Sequence, residues 1–317
     1  MPHITHPNDR PVALCLMGPT ASGKTALAQR LYDELPVDLI SVDSAQVYRG
    51  MDIGTAKPTA EELLALPHRL IDIRDPSEAY SAAMFREDAL REISEIHQAG
   101  RTPLLVGGTM LYFRALEYGL SPLPEADPEV RKRLDAEASE LGWPEMHARL
   151  QAIDPDTAAR LQPTDPQRIQ RALEIYEITG EQMSVLLAAH EEPELPFQLV
   201  KIAITPDDRG VLHERIAARF LHMMNMGFLQ EVRTLFQCTD LHENLPSIRC
   251  VGYRQLWKHL QGEWDLDTAI ERGIAATRQL AKRQLTWLRG DETWTQFNSE
   301  SKKLGDEILK LIKNHPI

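Results

Sequence analysis

Residues 18–25, Gly-Pro-Thr-Ala-Ser-Gly-Lys-Thr, have the types and the spacing of a phosphate-binding loop. The glycines let backbone N–H groups turn inward around an anion, and the helix that follows adds the positive end of its dipole. Lys24 supplies a point charge and Thr25 a hydroxyl ligand for Mg²⁺. We therefore predict that linked phosphates are bound by Gly18, Pro19, Thr20, Ala21, Ser22, Gly23, Lys24 and Thr25.

A phosphate loop does not say what the phosphates carry. Enzymes that hydrolyse nucleoside triphosphates usually add an aspartate at the end of a second apolar strand. The apolar run 103–106 is followed by Gly107-Gly108-Thr109 and not by an aspartate. The predicted strand that is followed by a carboxylate is 38–42, which precedes Asp43. This disfavours a nucleotide-hydrolysing motor. A small-molecule or nucleoside kinase stays open, and so does a nucleotide-switched binding protein, although an Asn-Lys-x-Asp motif is absent.

The elements around the loop alternate between short apolar runs and helical patterns. Residues 12–17 read as a strand and 24–35 as a helix, so the loop lies between them as its mechanism requires. Further strands are predicted at 38–42, 69–73, 103–106, 198–204 and 294–297, with helices such as 84–98 between them. The alternation predicts an α/β fold with a P-loop NTPase-like, mostly parallel sheet covered by helices.

Two proline-rich stretches, 121–124 and 192–196, bound a region of different character. Between them the pattern is helical only, over 129–141, 143–153 and 166–178, and the last helix has Asp165 as its N-cap and Pro166 in its first position. We predict a helical insertion at 123–195 that contacts RNA, within an α/β core of 11–122 and 196–317.

Composition describes an ordinary globular protein of 317 residues with 43% hydrophobic and 26% charged residues. Its net charge of −12 taken alone disfavours a polyanionic partner such as nucleic acid. Proteins bind RNA through local basic stretches, however, so the distribution of charge along the chain must be considered. The widely spaced Cys15, Cys238 and Cys250 indicate neither disulfides nor a metal site. Residues 1–10 show no leader and no apolar run has membrane-spanning length, so we expect a cytoplasmic protein without a membrane partner.

One basic stretch, 272–289, has five basic residues and no acidic one. On a helix, Arg278, Lys282 and Arg289 share one face, while Ala276, Leu280, Gln284 and Trp287 form an opposite, packed face. Because no acidic residue compensates these charges, contact with nucleic-acid phosphates is favoured over a solvated face.

Two other stretches combine charge with residues suited to RNA. Arg168 and Arg171 lie on one side of the helix at 166–178. In the stretch 249–258, Tyr253 and Arg254 suit splayed bases, although Tyr253 could equally be a core residue, and Trp257 is expected in the core.

Several sequence blocks resemble one family, the tRNA dimethylallyltransferases. The loop 18–25 resembles the first block, and Asp43-Ser-Ala-Gln-Val-Tyr48 with 51–57 resembles the second. Residues 107–113, 165–174, 226–228 and 252–255 resemble further blocks in the right order, so the resemblance covers about 12–289.

The resemblance implies transfer of a dimethylallyl group from dimethylallyl diphosphate to N6 of an adenosine next to the anticodon of tRNA. Diphosphate would leave into the loop 18–25, with Mg²⁺ as cofactor and the anticodon stem-loop as partner. A prenyltransferase that accepts a plain adenylate is the nearest alternative. We expect a monomer.

The resemblance also implies which residues form the site. Asp43 would accept the proton of the attacking amine, although a metal-shell or turn-capping role stays open. Arg219, rather than Arg215 on the same helical face, would bind the diphosphate. Thr109 would contact tRNA or else cap the following helix. The predicted tRNA contacts are Asp43, Ser44, Ala45, Gln46, Thr109, Arg131, Gln167, Arg168, Ile169, Gln170, Arg171, Cys250, Tyr253, Arg254, Arg278 and Lys282.

Overall fold

The computed structural model describes residues 10–121, 123–190 and 192–315. The prediction that there is no leader concerns residues 1–10, of which only Arg10 is described. Pro122 of the first proline-rich stretch also lies outside the described residues.

Within the described residues, six strands form one parallel sheet in the order β3-β2-β4-β1-β5-β6. The strands are β1 (Val12–Met17), β2 (Val37–Val42), β3 (His68–Arg69), β4 (Thr102–Gly107), β5 (Gln198–Thr205) and β6 (Thr295–Asn298). The predicted fold class, a parallel α/β core with a P-loop after its first strand, is confirmed.

The predicted strand at 69–73 is wrong in its extent. From this part of the chain, only His68 and Arg69 pair with β2, because Leu70 and Asp72 take positive φ angles of 64° and 57° that end the extended chain. An apolar run alone does not reveal such a turn.

Helices occupy the connections between the strands. They are α1 (Lys24–Glu34), α2 (Ala60–Ala65), α3 (Ala82–Gln98), α4 (Met110–Tyr118), α5 (Pro128–Leu141), α6 (Trp143–Ile153), α7 (Pro155–Ala158), α8 (Pro166–Thr179), α9 (Met183–Ala188), α10 (Arg209–Asn225), α11 (Phe228–Phe236), α12 (Tyr253–Leu260), α13 (Leu266–Gly290) and α14 (Leu304–Ile312).

The central strand β1 is buried along its whole length because helices cover both faces of the sheet. Val12, Leu14 and Leu16 belong to an apolar cluster with residues of α1 and α14. The alternate residues, among them Ala13 and Met17, belong to a second cluster with α3, α11 and α12. This packing holds the end of β1, and therefore the loop after it, in a fixed place.

The chain divides into two compact units, one made of the described residues up to Glu117 together with those from Leu195 onward, the other Tyr118–Glu194. In the described part of the second unit, α5 to α9 surround a core that includes Leu134, Met146 and Leu173. Asp165 caps α8 and Pro166 begins it, as predicted. The short α7 and α9 were not predicted, because so few turns give no clear helical periodicity.

No helix in the described residues is both long and apolar enough to cross a bilayer.

Candidate active site

The carboxyl ends of neighbouring strands meet at one edge of the sheet and open onto a cavity of about 680 Å³. The loop after β1 contributes Thr20 and the start of α1 contributes Lys24 and Thr25. The turn after β2 contributes Asp43, and the loop after β4 contributes Thr109. Strand order thus brings together residues that the sequence separates.

The loop after β1 has the backbone that its glycines predict. A Cβ on Gly18 would lie 2.5 Å from the carbonyl oxygen of Ile204, so only glycine fits there. Gly23 has φ +90° and directly precedes α1, whose first residue is Lys24. Ala21 also has a positive φ, 63°, and its methyl group packs against the apolar cluster of Leu212 and Ile216. The neighbouring core therefore holds a strained loop in place.

The Lys24 ammonium lies inside this loop. Its Nζ donates to the carbonyl oxygens of Gly18 at 2.9 Å and Pro19 at 2.8 Å. The pKa of Lys24 is lowered to about 8, mainly by burial and next by the charge of Arg219, while the charge of Asp43 opposes the shift. A bound anion would favour the charged form, so the site is suited to one.

Arg219 of α10 is a further basic residue of the cavity lining. Burial lowers its pKa, with the charge of Asp43 acting in the opposite direction. Arg215, one turn earlier, is exposed and forms an ion pair with Glu300 at 3.5 Å. Of the two arginines, the structure brings Arg219 to the cavity, as predicted from the resemblance.

Asp43 orders the turn after β2. Its Oδ1 accepts from the backbone N–H of Ala45 at 2.8 Å and from that of Gln46 at 3.3 Å. The turn-capping role is therefore present, and it uses Oδ1 only. The same carboxylate lines the cavity with Ser44, Ala45 and Gln46, so capping does not compete with a role toward a substrate.

Thr109 joins two loops instead of capping α4 with its side chain. Its Oγ1 accepts from the backbone N–H of Ser44 at 3.0 Å. The preceding Gly107 lies against β2, where a Cβ would be 2.0 Å from the carbonyl oxygen of Val42. The paired glycines thus allow the loop after β4 to lie directly on the turn after β2.

Gln284 of α13 bridges two loops of the site. Its Oε1 accepts from the backbone N–H of Thr20 at 3.0 Å, and its Nε2 donates to the carbonyl oxygen of Gly108 at 2.8 Å. A Cβ on Gly108 would lie 2.5 Å from this Nε2. The sequence pattern predicted that Gln284 lies on a packed face of the helix, but it did not predict the two hydrogen bonds that join the loops.

Helix α13 presents this same face to the cavity. Thr277, Leu280, Gln284 and Trp287, at helical spacing, line it, and Trp287 is 42% exposed. The expectation of a packed face is therefore wrong for Leu280 and Trp287, whereas Gln284 is buried as expected. Other apolar lining residues come from β4, α4 and α10, namely Val106, Met110, Leu111, Ile216, Phe220 and Met223.

The basic residue that α13 contributes to the lining is Arg283. Arg278, half-buried, and Lys282, exposed, lie on α13 away from the lining. The spacing of Arg283 relative to Leu280 and Trp287 was the signal that could have identified it.

In the stretch 249–258, Arg249, Cys250 and Tyr253 line the cavity, whereas Arg254 is exposed elsewhere. Burial, followed by the charge of Asp43, raises the pKa of Cys250 to about 12, so it stays a thiol.

Tyr253 does not offer its ring for stacking. The side chain is fully buried, and its ring lies edge to face with Phe228 at a centroid distance of 5.0 Å. Its hydroxyl donates to Glu231. Of the two roles left open for Tyr253, base stacking is therefore wrong and the core position is observed. Trp257 lies in the core, as expected.

In the second unit, two predicted contact residues share a buried carboxylate. Arg131 donates to both oxygens of Glu174 at 2.9 and 3.1 Å, and Arg171 donates to it at 2.6 Å. Gln170 donates to the carbonyl oxygen of Arg131 at 3.3 Å.

The neighbouring positions of α8 differ in exposure. Gln167 is exposed, and the side chain of Arg168 is 72% exposed. Ile169 is fully buried in the core of the second unit, so a tRNA contact through its side chain is a wrong prediction.

Residues 46–291 match the model of the IPP transferase family. A tRNA isopentenylpyrophosphate transferase from Bacillus halodurans is 38% identical, with a TM-score of 0.70 and 96% of each chain covered. One from Staphylococcus epidermidis is 32% identical, with a TM-score of 0.69, covering 96% of this chain and 99% of that one. A eukaryotic dimethylallyltransferase acting on tRNA is 25% identical, with a TM-score of 0.76, covering 97% and 81%.

The family match takes in the turn at Gln46, the loop at Thr109 and the whole of α13, and the solved structures extend the similarity over the remaining core. The family suggested by the sequence blocks is thereby confirmed: the chain belongs to the IPP transferase family.

Proposed function

We propose that this chain transfers a dimethylallyl group from dimethylallyl diphosphate to N6 of an adenosine next to the anticodon of tRNA. One observation carries the proposal. A phosphate loop, a strand-end carboxylate and apolar side chains line the same cavity, at Lys24, Asp43 and Phe220 among others. A diphosphate, a proton acceptor and a short hydrocarbon are the needs of this reaction. The relatives named above, two isopentenylpyrophosphate transferases and a dimethylallyltransferase, support it.

The loop residues would stabilise the leaving group. As the allylic C–O bond breaks, negative charge grows on the diphosphate, and the Lys24 ammonium with the Arg219 guanidinium would neutralise it. The loop also supplies backbone N–H groups at the start of α1. These groups act most strongly on the departing diphosphate because its charge is greatest after the bond has broken.

Thr25 and Asp43 fit a magnesium ion held mainly by substrate. A hydroxyl and a carboxylate line the cavity beside the phosphate loop, and such oxygen ligands together with phosphate oxygens are what Mg²⁺ prefers. When bound, Mg²⁺ would supply further charge stabilisation for the diphosphate. Thr25 is the proposed protein ligand, and Asp43 the proposed proton acceptor.

Asp43 would act on the acceptor amine. The new bond joins the adenine N6 to the allylic carbon while the C–O bond to diphosphate breaks, and a proton on N6 passes to the Asp43 carboxylate. The target amine lies on a pairing edge, so the base would leave its stack to reach the cavity.

The direct test is mass spectrometry of adenosines in tRNA incubated with the protein, Mg²⁺ and dimethylallyl diphosphate. A mass increase of one dimethylallyl group on an adenosine next to the anticodon is expected. Phosphorylation of a small acceptor by ATP, without any use of the allylic diphosphate, would contradict the proposal in favour of a kinase. Equal transfer to free adenylate would favour a prenyltransferase that accepts plain nucleotides.

The pH dependence of donor use follows from Lys24. Because its pKa is lowered to about 8, the free enzyme loses the ammonium charge as pH rises through that value. We expect kcat/KM for dimethylallyl diphosphate to fall above about pH 8, whereas kcat at saturating donor stays flat to higher pH because bound diphosphate favours the ammonium. Lys24→Arg keeps its charge, so it should lack this descending limb even though its turnover is lower. An unchanged limb in Lys24→Arg would contradict the assignment.

The basic residues of α13 should differ in their effect on tRNA binding. Arg283→Ala removes a cavity-lining charge, while Arg278→Ala with Lys282→Ala removes charges away from the cavity. We expect all three changes to weaken binding and reduce its salt dependence, with a slope change of about one per lost phosphate contact. Only Arg283→Ala should also lower kcat. Titrations of labelled anticodon stem-loop at several salt concentrations measure this, and an unchanged slope in both variants would exclude the contacts.

A further inference from the structure

Glu231 of α11 is the meeting point of several hydrogen bonds behind the cavity wall. Its Oε2 accepts from the backbone N–H groups of Asp52 at 3.0 Å and Ile53 at 2.7 Å, and its Oε1 from that of Gly54 at 3.1 Å. The hydroxyl of Tyr253 donates to the same Oε1 at 2.5 Å. Three of these four donors are consecutive backbone N–H groups, so Glu231 fixes the backbone of the segment 52–54.

The segment is fixed at its other side as well. The buried Nζ of Lys57 donates to the carboxylates of Asp52 at 2.6 Å and Asp72 at 2.5 Å. Gly54 lies so close to the ring of Phe228 that a Cβ would be 2.0 Å from it. The segment 52–57 therefore has little room to shift unless the bonds to Glu231 are lost.

This segment is a wall of the cavity and it orients a side chain there. Thr55 and Ala56 line the cavity, and their carbonyl oxygens both lie 3.4 Å from Nε2 of Gln46, which donates to them. The Oε1 of Gln46 accepts from the hydroxyl of Ser41 at 3.1 Å. With both ends of the amide engaged, Gln46 has one orientation beside the proposed proton acceptor.

We propose that Glu231 is a positioning residue for the acceptor side of the cavity. It acts through the segment 52–54 on the carbonyl groups that orient Gln46, and it leaves the phosphate loop untouched. The inference rests on the proposed function and on Gln46, a predicted tRNA contact that lines the cavity. It predicts that loss of the Glu231 carboxylate weakens use of tRNA and leaves use of the allylic diphosphate unchanged.

The variant Glu231→Gln tests this separation. The amide keeps the shape, but its NH₂ group cannot accept, so at least one of the four donors around Glu231 loses its acceptor. We expect KM for the tRNA stem-loop to rise about tenfold and kcat to fall less than that, since one unpaired buried donor corresponds to roughly a factor of ten. KM for dimethylallyl diphosphate should stay within about twofold, because the phosphate loop keeps all its bonds. Amide hydrogen exchange over 52–54, measured without substrates, should become faster.

The matched control is Glu62→Gln. Glu62 also accepts a backbone N–H, that of Thr59 at 2.7 Å, but as part of the cap of α2 away from the cavity lining. Its variant should leave both KM values unchanged. The second variant, Tyr253→Phe, removes only the hydroxyl donor and should raise KM for tRNA by about threefold; added to Glu231→Gln it should raise KM no further.

The outcomes separate the inference from the proposed function. If Glu231→Gln melts at a lower temperature yet keeps KM for tRNA, or if KM rises equally for both substrates, the positioning role is overturned. Should Glu231→Gln not fold, an unchanged KM for tRNA in Tyr253→Phe overturns it instead. Failure of the wild-type protein to prenylate tRNA would refute the proposed function, while the exchange rates of 52–54 would still report whether Glu231 holds the segment.

Discussion

Replacement of Lys24 by alanine is expected to lower kcat for dimethylallyl transfer by about a thousandfold, in the range found when one preorganised charge-stabilising group is removed. The ammonium lies among the carbonyl oxygens of Gly18 and Pro19 and lines the cavity beside Thr25. Without the ammonium, Arg219 is the basic residue of α1 and α10 that remains in the lining to neutralise the negative charge growing on the departing diphosphate. Single-turnover measurements at saturating substrates isolate this loss from weaker binding.

The loss of activity in Lys24→Ala should not be accompanied by a loss of stability. The lowered pKa of Lys24 means that the folded protein holds the charged form less favourably than the unfolded chain does. Removal of this buried charge at neutral pH should therefore leave Tm unchanged or raise it. A variant that loses activity together with its cooperative melting transition would show that Lys24 is needed for folding, and the assigned role in leaving-group stabilisation would lose its support.

Replacement of Asp43 by asparagine should lower kcat by about a hundredfold or more, as expected when a positioned proton acceptor is lost. Asparagine keeps an oxygen that can accept from the backbone N–H groups of Ala45 and Gln46, so the turn after β2 should persist. Binding of tRNA and of dimethylallyl diphosphate should change little.

Magnesium titration distinguishes the two roles left open for Asp43. If its carboxylate accepts the proton, the Asp43→Asn defect stays the same at every Mg²⁺ concentration. If the carboxylate belongs instead to the metal shell, the variant should require more Mg²⁺ and recover at high concentration. Turnover equal to that of the wild type would exclude both roles.

The sequence was most informative where a motif coincides with the end of a buried strand. The loop at 18–25 and the turn at Asp43 each follow an apolar run, and parallel strands place such ends at a common edge. The loop motif and the family resemblance identified Lys24, Asp43 and Thr109, and each directly follows or lies near a sheet strand. The strand order then explains why the structure brings them to one cavity.

Side chains on long helices were harder to assign. An amphipathic pattern marks two faces of α13 but does not say which face meets a cavity, so Arg283 was missed in favour of Arg278 and Lys282. Burial by a neighbouring helix is equally invisible: Ile169 lies between two polar residues in sequence, yet it belongs to a core. Contacts such as those of Glu231 with the segment 52–54 join residues nearly 180 positions apart, and no local pattern predicts them.

The bridge made by Gln284 has a consequence for protein synthesis. Thr20 and Gln284 are separated by 264 positions, so at about 5–20 residues per second the ribosome needs roughly 13–50 s between adding the two. During that interval the nascent loop has its sequence but lacks the partner that braces it. The ability to bind a diphosphate group should therefore arise late in translation. A nascent chain stalled before α13 should bind diphosphate poorly even with its first strands paired.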